Sequence, residues 1–182
     1  MKKVIALKAI VTGAPGSGKS TVVKGACEEL QGRGWRIGGA ICPEVREHGV
    51  REGFEIIDLM TGQKGTLAEV KPSDGPRVGK YYVNISDLEG ICVPAIRRAL
   101  NQADLVVIDE VGPMEMKSAI FQNCVRDAFL SGKNLIAVVH WALTLRFSSE
   151  YRDARVFEVT LDSRDFAVEE IVRFFEEGAT KI

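Results

Sequence analysis

Near the start of the chain, Gly13-Ala14-Pro15-Gly16-Ser17-Gly18-Lys19-Ser20 fits the spacing G-x-x-x-x-G-K-[ST]. Such a run is suited to holding phosphate. Its glycines let the backbone curl until successive N–H groups converge on an anion. A helix beginning at its end adds unpaired N–H groups and the positive end of a dipole. In that arrangement Lys19 reaches the β and γ phosphates, the Ser20 hydroxyl ligates Mg²⁺, and Thr21 hydrogen-bonds the α phosphate.

A second chemical feature is Ala103-Asp104-Leu105-Val106-Val107-Ile108-Asp109-Glu110-Val111-Gly112. Here an apolar run ends in two adjacent carboxylates. Buried acids are costly unless something positive or coordinating faces them. Asp109 stands where a Walker B aspartate stands and is expected to hold the Mg²⁺ shell from its second coordination sphere. Neighbours on a strand point to opposite faces, so Glu110 shares that task only if the strand ends there. One step past the metal acid, Glu110 is instead placed to orient or deprotonate a water attacking a γ phosphate. The plainer reading of Glu110 is a solvated loop carboxylate.

Arg46, Arg51, Lys80, Arg146 and Arg164 are candidate contacts for phosphate or base, against the plainer reading of solvated surface cations. Arg164 ranks first, because it follows a strand's carboxyl end, where ligands of an open α/β sheet bind. His140 stands at another strand end, and a structural histidine is the competing reading. Trp141 offers a ring for stacking on a base, with packing as its alternative. Met114 and Met116 read either as a soft docking surface or as core.

These residues need elements to place them. Val4–Val11 reads as a buried strand. After the glycine-rich turn, Val23, Ala26, Cys27 and Leu30 give a helix one apolar face, and "QGRG" ends it. Trp35–Cys42 reads as a strand. From Glu44 to about Ile85, short apolar pieces alternate with turn residues, the pattern of a strand-rich insertion. Ser86-Asp87-Leu88-Glu89 matches a capping box, and Pro94 is expected to break or kink the helix that follows to about Asn101. Strands are expected at Leu105–Asp109, Leu135–Val139 and Val156–Thr160. Helices are expected from about Ser118 to Leu130 and through Val168, Ile171, Val172 and Phe175. Strands alternating with helices imply an α/β fold with a parallel sheet. The segment 144–153 reads as a polar stretch.

At 182 residues the whole chain, 1–182, is expected to be one domain. The net charge is −1, from 24 basic and 25 acidic residues, so no strong nonspecific attraction to nucleic acid is expected. Lys8 interrupts the first apolar run, which argues against a signal peptide, and no run is long enough to span a membrane. Cys27, Cys42, Cys92 and Cys124 form no C-x-x-C pair, so zinc and disulfides are not expected, and the cytoplasm is the default location.

The sequence also resembles the small P-loop nucleoside-triphosphatase family called THEP, whose animal members are known as cancer-related nucleoside-triphosphatases. Asp109-Glu110-Val111-Gly112-Pro113-Met114-Glu115 is similar to that family's D-E-I-G-K-M-E. Glu44-Val45-Arg46 with Arg51-Glu52-Gly53-Phe54, Val78-Gly79-Lys80-Tyr81, and Val159-Thr160-Leu161-Asp162-Ser163-Arg164-Asp165 match further blocks. The resemblance runs from residue 10 to about 171. It implies a three-layer RecA-like P-loop fold with a mostly parallel sheet, and slow, base-tolerant, Mg²⁺-dependent hydrolysis of ATP, GTP and other nucleoside triphosphates. Pro113 departs from the family's lysine, Trp141-Ala142-Leu143-Thr144 from its arginines after the histidine, and Ser163 from its asparagine.

Three function classes follow. A nucleoside triphosphatase uses Lys19 and Glu110 as catalytic residues, Ser20 and Asp109 for the metal, and Gly13 to Thr21 with Arg164 for the nucleotide. A nucleotide or polynucleotide kinase would hold an acceptor on segment 44–85 or 144–153, but no arginine-rich lid is evident. A nucleotide-dependent switch would present segment 44–85 to a partner.

Overall fold

The structure is a computed structural model and describes residues 6–180. Its first half contains β1 (Lys8–Thr12), α1 (Lys19–Gly32), β2 (Ile37–Ile41), β3 (Glu44–Glu47), β4 (Val50–Asp58), β5 (Lys64–Glu69), β6 (Arg77–Val78) and β7 (Tyr81–Val83). A helical stretch follows: α2 (Ile85–Asp87), a π-helical turn (Leu88–Cys92) and α3 (Val93–Gln102). The remainder is β8 (Leu105–Val111), α4 (Ala119–Leu130), β9 (Asn134–Val139), α5 (Trp141–Glu150), β10 (Arg155–Glu158) and α6 (Arg164–Thr180).

All strands join one sheet. Its parallel core has the order β10-β1-β9-β8-β2. Core strands alternate their side chains between two apolar layers. Ala9 and Val11 of β1, with Leu105 and Val107 of β8, pack against Val22, Val23 and Ala26 of α1 and Ile171, Val172 and Phe175 of α6. Ile10, Val106 and Ile108 face the other way, toward Val93 and Ile96 of α3 and Phe121 and Val125 of α4. Both faces being covered explains why these strands read as unbroken apolar runs. The result is the expected three-layer α/β sandwich.

The insertion extends the same sheet. β4 pairs antiparallel with β2 through Ala40–Asp58 and Ile41–Ile57, and β5, β7 and β6 continue outward. β3 pairs with β4 beyond the end of β2.

Several boundaries differ from expectation. Val4 and Ile5 lie outside the described residues, and the first strand begins at Lys8. The helix after the insertion is capped by Asn84, two residues before the expected Ser86 capping box; its side chain accepts from the Asp87 N–H. Pro94 does not break that helix. It sits in the first turn of α3, where no intrahelical N–H is required, and the π turn before it carries the chain through. Most of the supposed polar stretch at 144–153 is helix α5. Its Phe147, and Tyr151 at its C-cap, enter the core beside Phe129. The fourth cysteine and its three fellows are free thiols. No helix among the described residues is long and apolar enough to cross a membrane.

Candidate active site

The glycine-rich loop joins the carboxyl end of β1 to α1, the context that the motif requires. Gly18 is the N-cap of α1 at φ 95°, a left-handed conformation that glycine adopts without steric cost. The Ser17 N–H donates to the Ala14 carbonyl at 3.1 Å and closes the loop. Lys19 Nζ donates to the carbonyls of Gly13 and Ala14 at 3.1 and 3.0 Å, which holds its ammonium across the loop. Ala14, Pro15, Gly16, Ser20 and Thr21 are exposed. Ser17 is only 5% exposed, and its hydroxyl is buried without a hydrogen-bond partner. An unpartnered polar atom inside such a loop fits a site built to receive a polar ligand.

Asp109 lies on β8, separated from the phosphate-loop strand by β9. The alternation that sends Leu105 and Val107 toward α1 sends Asp109 there too. It is 7% exposed, and Ser20 lies close enough to pull its pKa down. Burial pushes its pKa up to about 6, against the pull of Ser20; Glu110 raises it further and Lys19 lowers it.

Glu110 would face the opposite layer if β8 were regular. It does not, because the strand slips register there. Asp109 pairs with Val138 and Val111 with Val139, so Glu110 has no partner in the ladder. The peptide joining the two acids is cis. Val111 takes the core position that regular alternation would have given Glu110. Released from the ladder, Glu110 lies where Lys19 and Asp109 both sense its charge. Burial raises its pKa, and Lys19 opposes the shift.

Arg164, the first residue of α6, lies against the loop. A Cβ built on Gly18 would stand 2.5 Å from Arg164 Cδ and 3.5 Å from its Nη1. His140 ends β9 between β1 and β8. Its Nδ1 accepts from the Ala142 N–H at 3.3 Å, capping α5. Burial lowers its pKa, as does Lys19.

Other candidates lie elsewhere or have local partners. Arg46 and Arg51 both bind Glu44, at 2.8 and 2.7 Å. Lys80 Nζ donates to the Arg51 carbonyl at 3.1 Å. Arg146 pairs loosely with Glu150 at 3.9 Å. Trp141 is 59% exposed and lies beside His140. Met114 and Met116 are partly buried and pack against the core. Ser163 is tied to Thr160, whose N–H donates to the Ser163 hydroxyl at 3.0 Å.

Two participants have no role in the sequence reading. Glu115, between the methionines, is 3% exposed, and burial pushes its pKa up to about 8 with help from Glu110. Thr144, inside the segment read as polar, hydrogen-bonds Thr12 at the end of β1 at 2.6 Å. Glu115's only sequence signal is its place in the Asp109–Glu115 block.

Comparison with known proteins gives the family and the fold. A family model described as NTPase matches residues 8–172. The chain belongs to the THEP1-type NTPase family. Nucleoside-triphosphatase THEP1 of Methanothermobacter thermautotrophicus is 46% identical over 159 residues, covering 87% of this chain and 90% of the relative. Its namesake from Methanosarcina acetivorans is 46% identical over 171 residues, covering 93% and 97%. Two solved family structures share the fold. The crystal structure of THEP1 from the hyperthermophile Aquifex aeolicus superposes with a TM-score of 0.80 at 31% identity, covering 93% of this chain and 99% of that one. The solution structure of a human cancer-related nucleoside triphosphatase gives 0.78 at 30% identity, covering 94% and 98%.

Proposed function

We propose that this enzyme, a nucleoside-triphosphatase by family, hydrolyses ATP, GTP and other nucleoside triphosphates to diphosphate and phosphate with Mg²⁺, and that Glu110 activates the attacking water. The observation that carries this reading is the slip in β8 at Glu110. It releases a carboxylate from the strand one residue beyond the Ser20–Asp109 pair, on the side that senses Lys19.

The residues fit Mg²⁺, a hard cation that takes one or two protein oxygens and completes its shell with water and substrate phosphate. Ser20 would ligate it directly, and Asp109 would hold its shell. When bound, it neutralises charge on the β and γ phosphates. Residues Gly13 to Thr21 would cradle the phosphates, with Lys19 at the β and γ positions and Arg164 near the loop's exit. Glu110 would accept the proton of the water as it attacks. Burial suits it to that task, because a raised pKa makes a carboxylate a stronger base.

The kinase alternative would need segment 44–85 or helix α5, which takes up most of 144–153, to hold an acceptor.

Phosphate release is the direct test, with ATP and GTP, in Mg²⁺ and in EDTA, without acceptor. Glu110→Gln should lower turnover by about 10²-fold or more while nucleotide binding stays. EDTA should stop release and added Mg²⁺ restore it. Wild-type turnover in the variant sinks the role given to Glu110.

A further inference from the structure

Glu115 is a buried acid that the mechanism above does not use. It opens a short 3₁₀ turn, Glu115–Lys117, between β8 and α4. The turn is secured on both sides. The Met116 N–H donates to the Gly112 carbonyl at 3.0 Å, and the Ser118 N–H to the Glu115 carbonyl at 3.1 Å. Met114 and Met116, partly buried on either side of it, pack against the core. Fold alone does not require a carboxylate there, since an apolar side chain avoids the cost of burying one.

What the carboxyl does is specific. Its Oε2 accepts the Gly112 N–H at 3.1 Å. A Cβ built on Gly112 would stand 3.0 Å from Glu115 Oε2 and 2.6 Å from Glu110 Oε1. The two carboxyls therefore crowd onto one glycine, in the space where any other residue would carry its side chain. Glu115 fixes the backbone at Gly112, and Gly112 gives Glu110 the room to lie where it does.

We propose that Glu115 is a positioning residue, which holds the turn at Gly112 so that the Glu110 carboxyl is fixed over that glycine. The inference rests on Glu110 being the base. Glu115 touches neither substrate nor metal in this account and acts only through Glu110. Its loss should therefore lower kcat and leave nucleotide affinity alone. Misplacement of a reacting group by about 1 Å is enough to cost on the order of 10²-fold.

The test is a double-mutant cycle on acceptor-free phosphate release, with nucleotide affinity measured alongside. Glu115→Leu should reduce kcat at least ten-fold with KM and nucleotide Kd within two-fold of wild type. Glu115→Gln keeps an oxygen for the Gly112 N–H and should retain most of the turnover. In a Glu110→Gln background, Glu115→Leu should cost nothing further, because the group that it positions is gone. If Glu115→Leu fails to fold, Glu115→Asp replaces it. That variant keeps an acid but withdraws the carboxyl from Gly112, and the same loss is expected.

Equal losses in both backgrounds, or no rescue by Gln, overturn the positioning role. So does wild-type kcat in both the Leu and the Asp variants. Failure of the underlying reading shows separately, as unchanged turnover in Glu110→Gln alone.

Discussion

Arg164 and Gly18 are in van der Waals contact across the chain. The aliphatic stem of the arginine crosses the glycine at the N-cap of α1, and a Cβ at Gly18 would stand 2.5 Å from Arg164 Cδ. The contact joins the loop before α6 to the phosphate loop. It leaves the guanidinium beside the backbone that would cradle an anion, with Nε donating only a long 3.4 Å bond to the Leu161 carbonyl.

Arg164→Ala should weaken binding of Mg²⁺-nucleotide by roughly 10- to 100-fold, the loss expected for one hydrogen bond to a charged group. kcat should change much less. Titration of a fluorescent nucleotide, with steady-state kinetics, checks both. A Kd within two-fold of wild type would return Arg164 to the surface cations. Gly18→Ala should be worse still, since it strains a φ of 95° as well as displacing the arginine.

Much of this was legible beforehand, for identifiable reasons. The phosphate loop is local: its residues are contiguous and lie between a strand and a helix. Both faces of the core sheet are covered, so Leu105–Ile108 announce a buried strand without any partner being known. Topology puts Arg164 just past a strand's carboxyl end, and the structure lays its stem against Gly18. The unreadable parts depend on distant partners. The slip at Glu110 appears only in the pairing of β8 with β9. Period-two alternation says that both acids cannot face one way, and a single displaced residue removes that rule. Glu115 sits between two methionines, and nothing local says that the turn brings its carboxyl to Gly112. Helix α5 was hidden because Thr144, Ser148 and Ser149 made its face look polar. Ser86 matches the capping-box pattern, yet Asn84 carries the cap, because its side chain reaches the Asp87 N–H.

The burial of Glu115 has a consequence for stability. Its pKa stands at about 8, against an ordinary 4.5, because burial penalises the charged form and Glu110 and Asp109 add repulsion. Cys42 at the end of β2 also faces it. Between those two values the folded protein keeps a proton that the unfolded chain has released, so stability falls as pH rises through the window. Asp109, at about 6, contributes the same way at lower pH. From about pH 6.5 to 8 Glu115 should contribute a slope of roughly 1 kcal/mol per pH unit, read as the difference between wild type and variant because His140 and Lys8 titrate near the two ends of the interval. Glu115→Gln should flatten it. Denaturant unfolding of nucleotide-free protein in EDTA at both ends of the interval measures the slope. An equal slope in wild type and variant would mean that Glu115 is ionised in the fold.

Lys8 carries the last prediction. It interrupts the apolar run of β1, yet it is 2% exposed. Its ammonium is bound where α4 ends, donating to the Ala128 carbonyl at 3.2 Å, to the Ser131 carbonyl at 2.8 Å and to the Lys133 carbonyl. Carbonyls left over at a helix C-terminus favour a cation. Burial lowers the amine to about 8, with Asp153 pulling the other way, so at pH 7 it still has its donors. Lys8→Met should leave those carbonyls without that partner and destabilise the protein by about 1–3 kcal/mol. The residue stands at the start of β1, whereas the phosphate loop leaves its far end, so turnover per folded molecule should hold. Urea midpoints and phosphate release on the same preparations give both readings. Undiminished stability would show that burying the ammonium costs as much as its hydrogen bonds return.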